Sequence, residues 1–375
     1  MAPVRAFLGS LWRAIHRRSY CLLHLGEGLD ALETALVCRA RDFYANHGLW
    51  IVTVRKPTIW RFLAAGSVLT AYGPTDVRPW ILRFIPSLGV NPTRDALAAH
   101  AWQRVLDARY PVSRKELESS RRRFLAAIRR RRLTTDVVHI FGTGPSLDLA
   151  SSLRLPESTR IVCNTIVKNA ELLEQIQPHI LVAGDSLYHF SDTAHAEQFR
   201  RDVVRCLRRH TPLFVYPAIY HRVVLKAVPP ELHHLLIPVP QGSRTGFLPG
   251  LVSDFQLPRL GNVLNLLLIP CALAAGTRVY LLGFDGRAEG SEGFWRNSTA
   301  NSYPDLLNVL AKEYPAFREF FVPTADPNRY VNQTLGEDLE RNLKEAASAG
   351  MEFRLLAPSR LPGLISLPVA SSDSQ

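Results

Sequence analysis

The residues that could carry chemistry sit at the ends of short apolar runs. Val137-Val138-His139-Ile140-Phe141 leads directly into Gly142-Thr143-Gly144-Pro145-Ser146-Leu147-Asp148. Glycines at the carboxyl end of a strand let the backbone turn tightly and approach a ligand, and a helix opening there presents free N–H groups to an anion. The chemistry implied is capture of a phosphate-bearing ligand; the competing explanation is a turn that uses Gly and Pro for shape alone. The spacing is not that of a dinucleotide loop, because no third glycine completes G-x-G-x-x-G, and no Gly-Lys-Ser/Thr marks a P-loop. A second run, Ile161-Val162-Cys163, ends in Asn164, where a dinucleotide binder places an acidic residue on the ribose. An amide both donates and accepts, so Asn164 suits a base edge, a ribose or a sugar hydroxyl.

A third run ends in Ala183-Gly184-Asp185-Ser186-Leu187-Tyr188-His189. Asp185 is open to four roles: metal ligand, acceptor for a substrate hydroxyl, general base or helix N-cap. His189 is the general base by its ordinary pKa, or else a surface histidine. Gly261 and Asn262 open the most apolar helical stretch, as an anion contact or as a cap. Leu281-Leu282-Gly283-Phe284 ends in Asp285, again at a strand's carboxyl end. Trp295 and Arg296 follow in a polar loop, where an aromatic beside Arg can stack on a ring and pair with phosphate. A hydrophobic latch is the other reading of Trp295.

The elements that must position these residues change character near residue 135. Before it, Phe7, Leu8, Leu11, Trp12 and Ile15 recur at helical spacing among arginines, and residues 1–134 read as basic helices joined by turns. After it, strands are expected at 137–141, 160–163, 179–183, 212–216, 278–282 and 352–356. Helices are expected near 168–175, 194–208, 261–275 and 337–349. Strands alternating with helices call for an α/β fold, a Rossmann-like doubly wound, mostly parallel sheet, over residues 135–360. Residues 361–375, rich in Pro and Ser, read as a loose tail.

Composition narrows the function. Of 375 residues, 47% are hydrophobic and 21% charged, which excludes a disordered chain, a collagen and a disulfide-dense miniprotein. The net charge is +12, but residues 1–135 carry +14 and the remainder −2. The basic third suits an anionic surface, and the neutral remainder suits a small-molecule enzyme. The Arg clusters lack an aromatic-interleaved module, so nucleic acid ranks last among partners. Arg121–Arg123 and Arg129–Arg132 flank Phe124, Leu125 and Ile128, which reads as a solvated helix or as a contact with anionic lipid headgroups. Five scattered cysteines without a C-x-x-C pair make a zinc site or disulfide framework unexpected. No apolar run is long enough to span a membrane; residues 263–275 read as a buried core helix. No apolar core with a cleavage site follows the N-terminal arginines, so a cytoplasmic location is expected.

The loop Gly142-Thr143-Gly144-Pro145-Ser146-Leu147 resembles the G-N-G-P-S-L loop of bacterial CMP-sialic-acid-dependent sialyltransferases, and of related polysaccharide-locus and 6-hydroxymethylpterin diphosphokinase-like proteins. Cys163-Asn164, Gly261 and the strand ending Gly283-Phe284-Asp285 match their motifs in the same order, over about residues 136–360. The resemblance implies an inverting glycosyltransferase of cell-surface polysaccharide or glycolipid synthesis. Its CMP-sugar or other nucleotide-sugar donor would be held by Gly142, Thr143, Gly144, Pro145, Ser146, Asn164, Gly261, Asn262, Asp285, Trp295 and Arg296, with no metal or other cofactor required. A glycan or glycolipid acceptor and a peripheral place on the membrane's inner face follow. Thr143 replaces the loop Asn, and no His follows His234, where the resembled enzymes carry a late catalytic His. The base therefore falls to Asp185 or His189. Two alternatives stand: a Mg-ATP diphosphokinase with Asp185 and Asp285 as metal ligands, and a catalytically inactive binding or scaffold protein.

Overall fold

The structure, a computed structural model, describes residues 20–24, 31–54, 67–70, 87–89, 98–286, 300–314 and 335–370. Its centre is a seven-stranded, all-parallel sheet. The strands are β5 (Val137–Phe141), β6 (Thr159–Cys163), β7 (Ile180–Val182), β8 (Leu213–Pro217), β9 (Leu236–Val239), β10 (Arg278–Leu282) and β11 (Glu352–Leu355). They lie in the order β11-β10-β5-β6-β7-β8-β9. The chain winds outward from β5 to β9, then returns to add β10 and β11 on the other side. This is the doubly wound α/β arrangement expected from the alternation of strands and helices. The switch in winding falls between β5 and β10, where such sheets hold ligands at their carboxyl edge. Val138, Ile140, Phe141, Ile161, Val162, Leu181, Val182 and Val215 are almost wholly buried, as strands covered on both faces require.

Six of these strands fall where the sequence places them. The seventh, β9, contains Pro238, which demotes a run in any sequence reading; a proline is tolerated here because β9 is the sheet's edge. The helices are α1 (Ala31–Asn46), α2 (Ala98–Arg109), α3 (Arg114–Arg132), α4 (Ala170–Ile176), the single turn α5 (Ser186–His189), α6 (Ala194–His210), α7 (His221–Ala227), α8 (Ile269–Ala275), α9 (Pro304–Glu313) and α10 (Gly336–Ser348).

The first third is not helical throughout. Besides α1, α2 and α3 it holds a second parallel sheet of β1 (Tyr20–His24), β2 (Trp50–Val54), β3 (Ser67–Thr70) and β4 (Ser87–Gly89), ordered β2-β1-β3-β4. The sequence reading places no strand in this third. The helix expected over residues 7–15 lies outside the described residues. The described part of this third packs on the large sheet. Val37, Tyr44, Trp102, Phe124 and Ile128 belong to the same continuous core as the seven-stranded sheet. Gln103 Nε2 donates to Phe190 O at 2.6 Å and to Tyr44 Oη at 3.1 Å. Arg39 pairs with Asp192 at 2.8 Å and with Glu313 at 2.5 Å.

The tail also differs from expectation as far as residue 370. Leu361 and Leu364 are buried, and Ala370 N–H donates to Leu355 O at 2.8 Å. Leucines spaced three apart at 361, 364 and 367 give this Pro- and Ser-rich segment an apolar side, which its composition conceals.

Candidate functional site

The glycine loop after β5 is built against the loop after β10. Gly142 N–H donates to Leu282 O at 2.8 Å, and Gly144 N–H to Gly283 O at 2.9 Å. A Cβ on Gly142 would overlap the carbonyl oxygen of Gly283, and one on Gly144 would overlap the Asp285 carboxylate. Gly283 itself has φ +81°, the left-handed region that favours glycine. These glycines therefore have a structural reason to be glycine: two backbones meet without side chains between them.

Ser146 shows what fills the anion position at the start of the helical turn Pro145–Ser151. Its N–H donates to both Asp285 carboxylate oxygens at 3.1 Å, and its Oγ donates to Oδ2 at 3.0 Å. Gly283 N–H in turn donates to Ser146 Oγ at 3.0 Å. The free N–H of this turn is thus satisfied by the protein's own carboxylate, where the sequence suggested a ligand phosphate. A phosphate placed there would meet a like charge. Asp285 acts as the clasp of the switch point, its own carbonyl accepting from Arg360 N–H at 2.8 Å. Thr143 and Pro145 remain partly or fully exposed on the loop's outer side.

Asn164, at the end of β6, has φ +50°. Asn tolerates this left-handed conformation better than most residues. Its Oδ1 is buried and has no hydrogen-bond partner. The turn it opens, Asn164–Lys168, anchors the segment that precedes α9: Thr165 Oγ1 donates to Asn301 O at 2.6 Å and Lys168 Nζ to Ser302 O at 2.5 Å. The neighbouring Cys163 thiol is pushed up to about 12 by burial, which leaves it an inert core residue.

Asp185, after β7, caps α5 by accepting from Tyr188 N–H at 2.8 Å. Burial raises its carboxyl above the ordinary aspartate range, with the backbone N–H groups of Tyr188 and Leu187 opposing. Tyr220 lies close by, donating to Gly184 O at 3.3 Å, and burial drives its phenol far above the usual value. His189 is 3% exposed and packs on Phe199 with ring centres 4.3 Å apart. Its Nδ1 accepts from Asp185 N–H at 3.1 Å, which leaves the proton on Nε2. Burial holds its pKa well below the ordinary histidine value. It is neither a surface histidine nor placed to take a proton from an acceptor; it orders the turn that carries Asp185.

Gly261 is exposed, and Asn262, with φ +61°, caps locally: its Oδ1 accepts from Leu264 N–H at 2.9 Å. The helical stretch beyond begins as a π turn, Leu264–Leu268, and continues as α8. Trp295 and Arg296 lie outside the described residues. Sequence reasoning also passed over two features. Asp285 and Ser146 are 139 positions apart, a pairing no local pattern could reveal. Asn265 was absorbed into an apolar run, yet it is fully buried with neither side-chain polar atom paired.

The sheet edge therefore presents, in order, the Asp285 clasp on β10, the glycine loop on β5, Asn164 on β6 and Asp185 on β7. Among the described residues no three His, Cys, Asp or Glu side chains come together as a metal site. The Asp285 carboxylate is held at the loop after β5, two strand spacings, about 10 Å, from β7 and Asp185, too far to share one cation bound at about 2 Å. Compared with family models, with curated proteins and with solved structures, the chain matches none.

Proposed function

We propose that the chain is a nucleotide-sugar-dependent glycosyltransferase acting at the carboxyl edge of its seven-stranded sheet. The observation that carries this reading is Asn164: a buried, unpaired amide oxygen at the end of the second strand of the sheet, beside the switch point. An unpaired acceptor there calls for a donor from a ligand, and a ribose hydroxyl, a sugar hydroxyl or an exocyclic amine supplies one. The donor's phosphate lies over the outer side of Gly142–Ser146, since the inner side is closed by Asp285. Gly261 and Asn262 flank the same edge.

Asp185 is the acceptor-side base. Burial raises its carboxyl above the ordinary aspartate value, the direction that makes it a stronger base, and it sits one strand beyond Asn164. The acceptor hydroxyl loses its proton to Asp185 as its oxygen attacks the anomeric carbon from the face opposite the leaving nucleotide. The nucleotide phosphate departs with the bonding pair, and configuration inverts. No metal enters this scheme. The diphosphokinase alternative loses support from the separation of Asp185 and Asp285. A binding protein without turnover is the second reading, favoured by the burial of His189 and by the closed anion position.

Calorimetric titration of the full chain with CMP, UMP and their sugar conjugates tests the reading. Saturable binding by wild type, weakened about tenfold or more by Asn164→Ala, is expected; absence of any saturable nucleotide binding overturns it.

The acceptor is proposed to be a glycan or glycolipid at the membrane's inner face. Arg122, Arg129, Arg130 and Arg132 are exposed on α3, and Leu133 is 87% exposed at its end. Phe124 and Ile128, the helix's apolar stripe, face the core instead, so lipid contact would be electrostatic. No helix among the described residues is long and apolar enough to cross a membrane. The full chain should float with phosphatidylserine vesicles at low salt and release at high salt; equal recovery with neutral vesicles would remove the membrane from the proposal.

A further inference from the structure

Asn265 is the most costly unexplained residue in the described structure. It is fully buried, and neither its Oδ1 nor its Nδ2 has a partner. Buried amides almost always find partners, so a double orphan needs a reason. Packing does not supply one. Leu264, Leu267 and Leu268 around it in sequence are all buried, and a leucine of similar volume would fill the same space without leaving two polar atoms dry.

Its position supplies a reason. Asn265 lies in the π turn Leu264–Leu268, a wide turn that within helices is frequent at functional sites. The turn is entered through the left-handed Asn262. It packs against β6, which leads into Asn164 and its own unpaired amide oxygen. It also closes on the end of β7: a Cβ on Gly184 would stand 3.1 Å from side-chain carbons of both Leu266 and Leu267. The turn that carries Asn265 thus stands against β6 and the end of β7, next to the unpaired oxygen of Asn164. In doubly wound sheets the phosphates lie over the first strand's loop, with the ribose at the end of the second. The base then falls on the side of the second and third strands, here β6 and β7.

We propose that Asn265 is a specificity residue of the nucleotide site, pairing with the polar edge of the nucleobase through its adjacent donor and acceptor. This rests on the nucleotide-sugar reading above. A base presents neighbouring donor and acceptor atoms, and a carboxamide can engage both at once, as Asn does with adenine. In the unliganded protein the π turn keeps the amide from water; ligand binding turns it to its partner. The amide is thereby kept at the expense of unliganded stability.

The test is Asn265→Leu in the full chain, read by melting temperature and by the ratio of affinities for CMP and UMP, with AMP and GMP alongside. The unliganded variant is expected to melt at least about 2 °C above wild type, because two unsatisfied atoms are removed. The affinity ratio between preferred and disfavoured bases is expected to collapse toward one, with ribose 5-phosphate binding unchanged. Should Asn265→Leu fail to fold, Asn265→Ala gives the same selectivity readout. Unchanged base selectivity in a wild type that binds nucleotides overturns the inference and leaves the nucleotide-sugar reading standing. So does a water pairing both amide atoms in the liganded protein. A wild type that binds no nucleotide overturns both.

Discussion

Burial raises the Asp185 carboxyl above its ordinary value, and the sign of the consequence follows. The unfolded chain releases this proton first, so within the window the folded state holds more protons and stability falls as pH rises. Asp185→Asn removes the ionisation and keeps an acceptor for Tyr188 N–H, since Asn caps helices as well as Asp does. The variant should therefore melt above wild type at neutral pH, with the difference closing below about pH 4. Transfer should fall by about 100-fold or more, the usual contribution of a positioned base. Turnover at the wild-type rate would take Asp185 out of the chemistry. His189 illustrates what one sequence conceals: a histidine four residues from an aspartate reads as a base, and only the folded turn shows its Nδ1 already occupied.

Among the elements, α3 separates a surface tether from a structural wall. Its sequence, with eight arginines in 19 residues, reads as a solvated basic helix. In the fold Phe124 is wholly buried against Phe255, with ring centres 5.9 Å apart, and Arg123 donates to Leu236 O at 2.9 Å. Phe124→Ala should cost about 3–5 kcal/mol in denaturant unfolding; a loss below about 1 kcal/mol would return α3 to the role of a loosely held arm. Six of the seven strands of the large sheet were legible as short, mostly apolar runs bounded by turn residues, and β9 was not, because of Pro238. The carboxyl ends of β5, β6, β7 and β10 were legible as one edge of the sheet from the same runs. The clasp between Ser146 and Asp285 was not, because it joins loops far apart in sequence. The glycine loop was read as a ligand cradle when much of its glycine requirement comes from Gly283. The small sheet of β1–β4 was missed because the helical spacing of residues 7–15 and the surrounding arginines drew the whole first third into a helical reading.

At the scale of the molecule, the +12 charge belongs to a first third that shares one core with the rest. Basic surface and candidate site are therefore parts of one folding unit. Its pH response is governed by buried histidines. Burial holds His47, His139, His179 and His195 each down at about 4. For a depressed histidine the unfolded chain takes up protons first, so stability is lost as pH falls from about 6.5 toward 4. Four such groups act in this direction, against the opposite trend of Asp185. The melting temperature should drop far more between about pH 6.5 and 4.5 than between 8.5 and 6.5, and a flat profile would contradict the buried, neutral assignment. The central claim, that the edge formed by the glycine loop, Asn164 and Asp185 receives a nucleotide sugar, is tested most directly by nucleotide affinity in wild type and Asn164→Ala at matched folding. Saturable binding that weakens about tenfold or more, with melting temperatures within about 2 °C, is the expected result; equal affinity in the two proteins, or none in either, would contradict it.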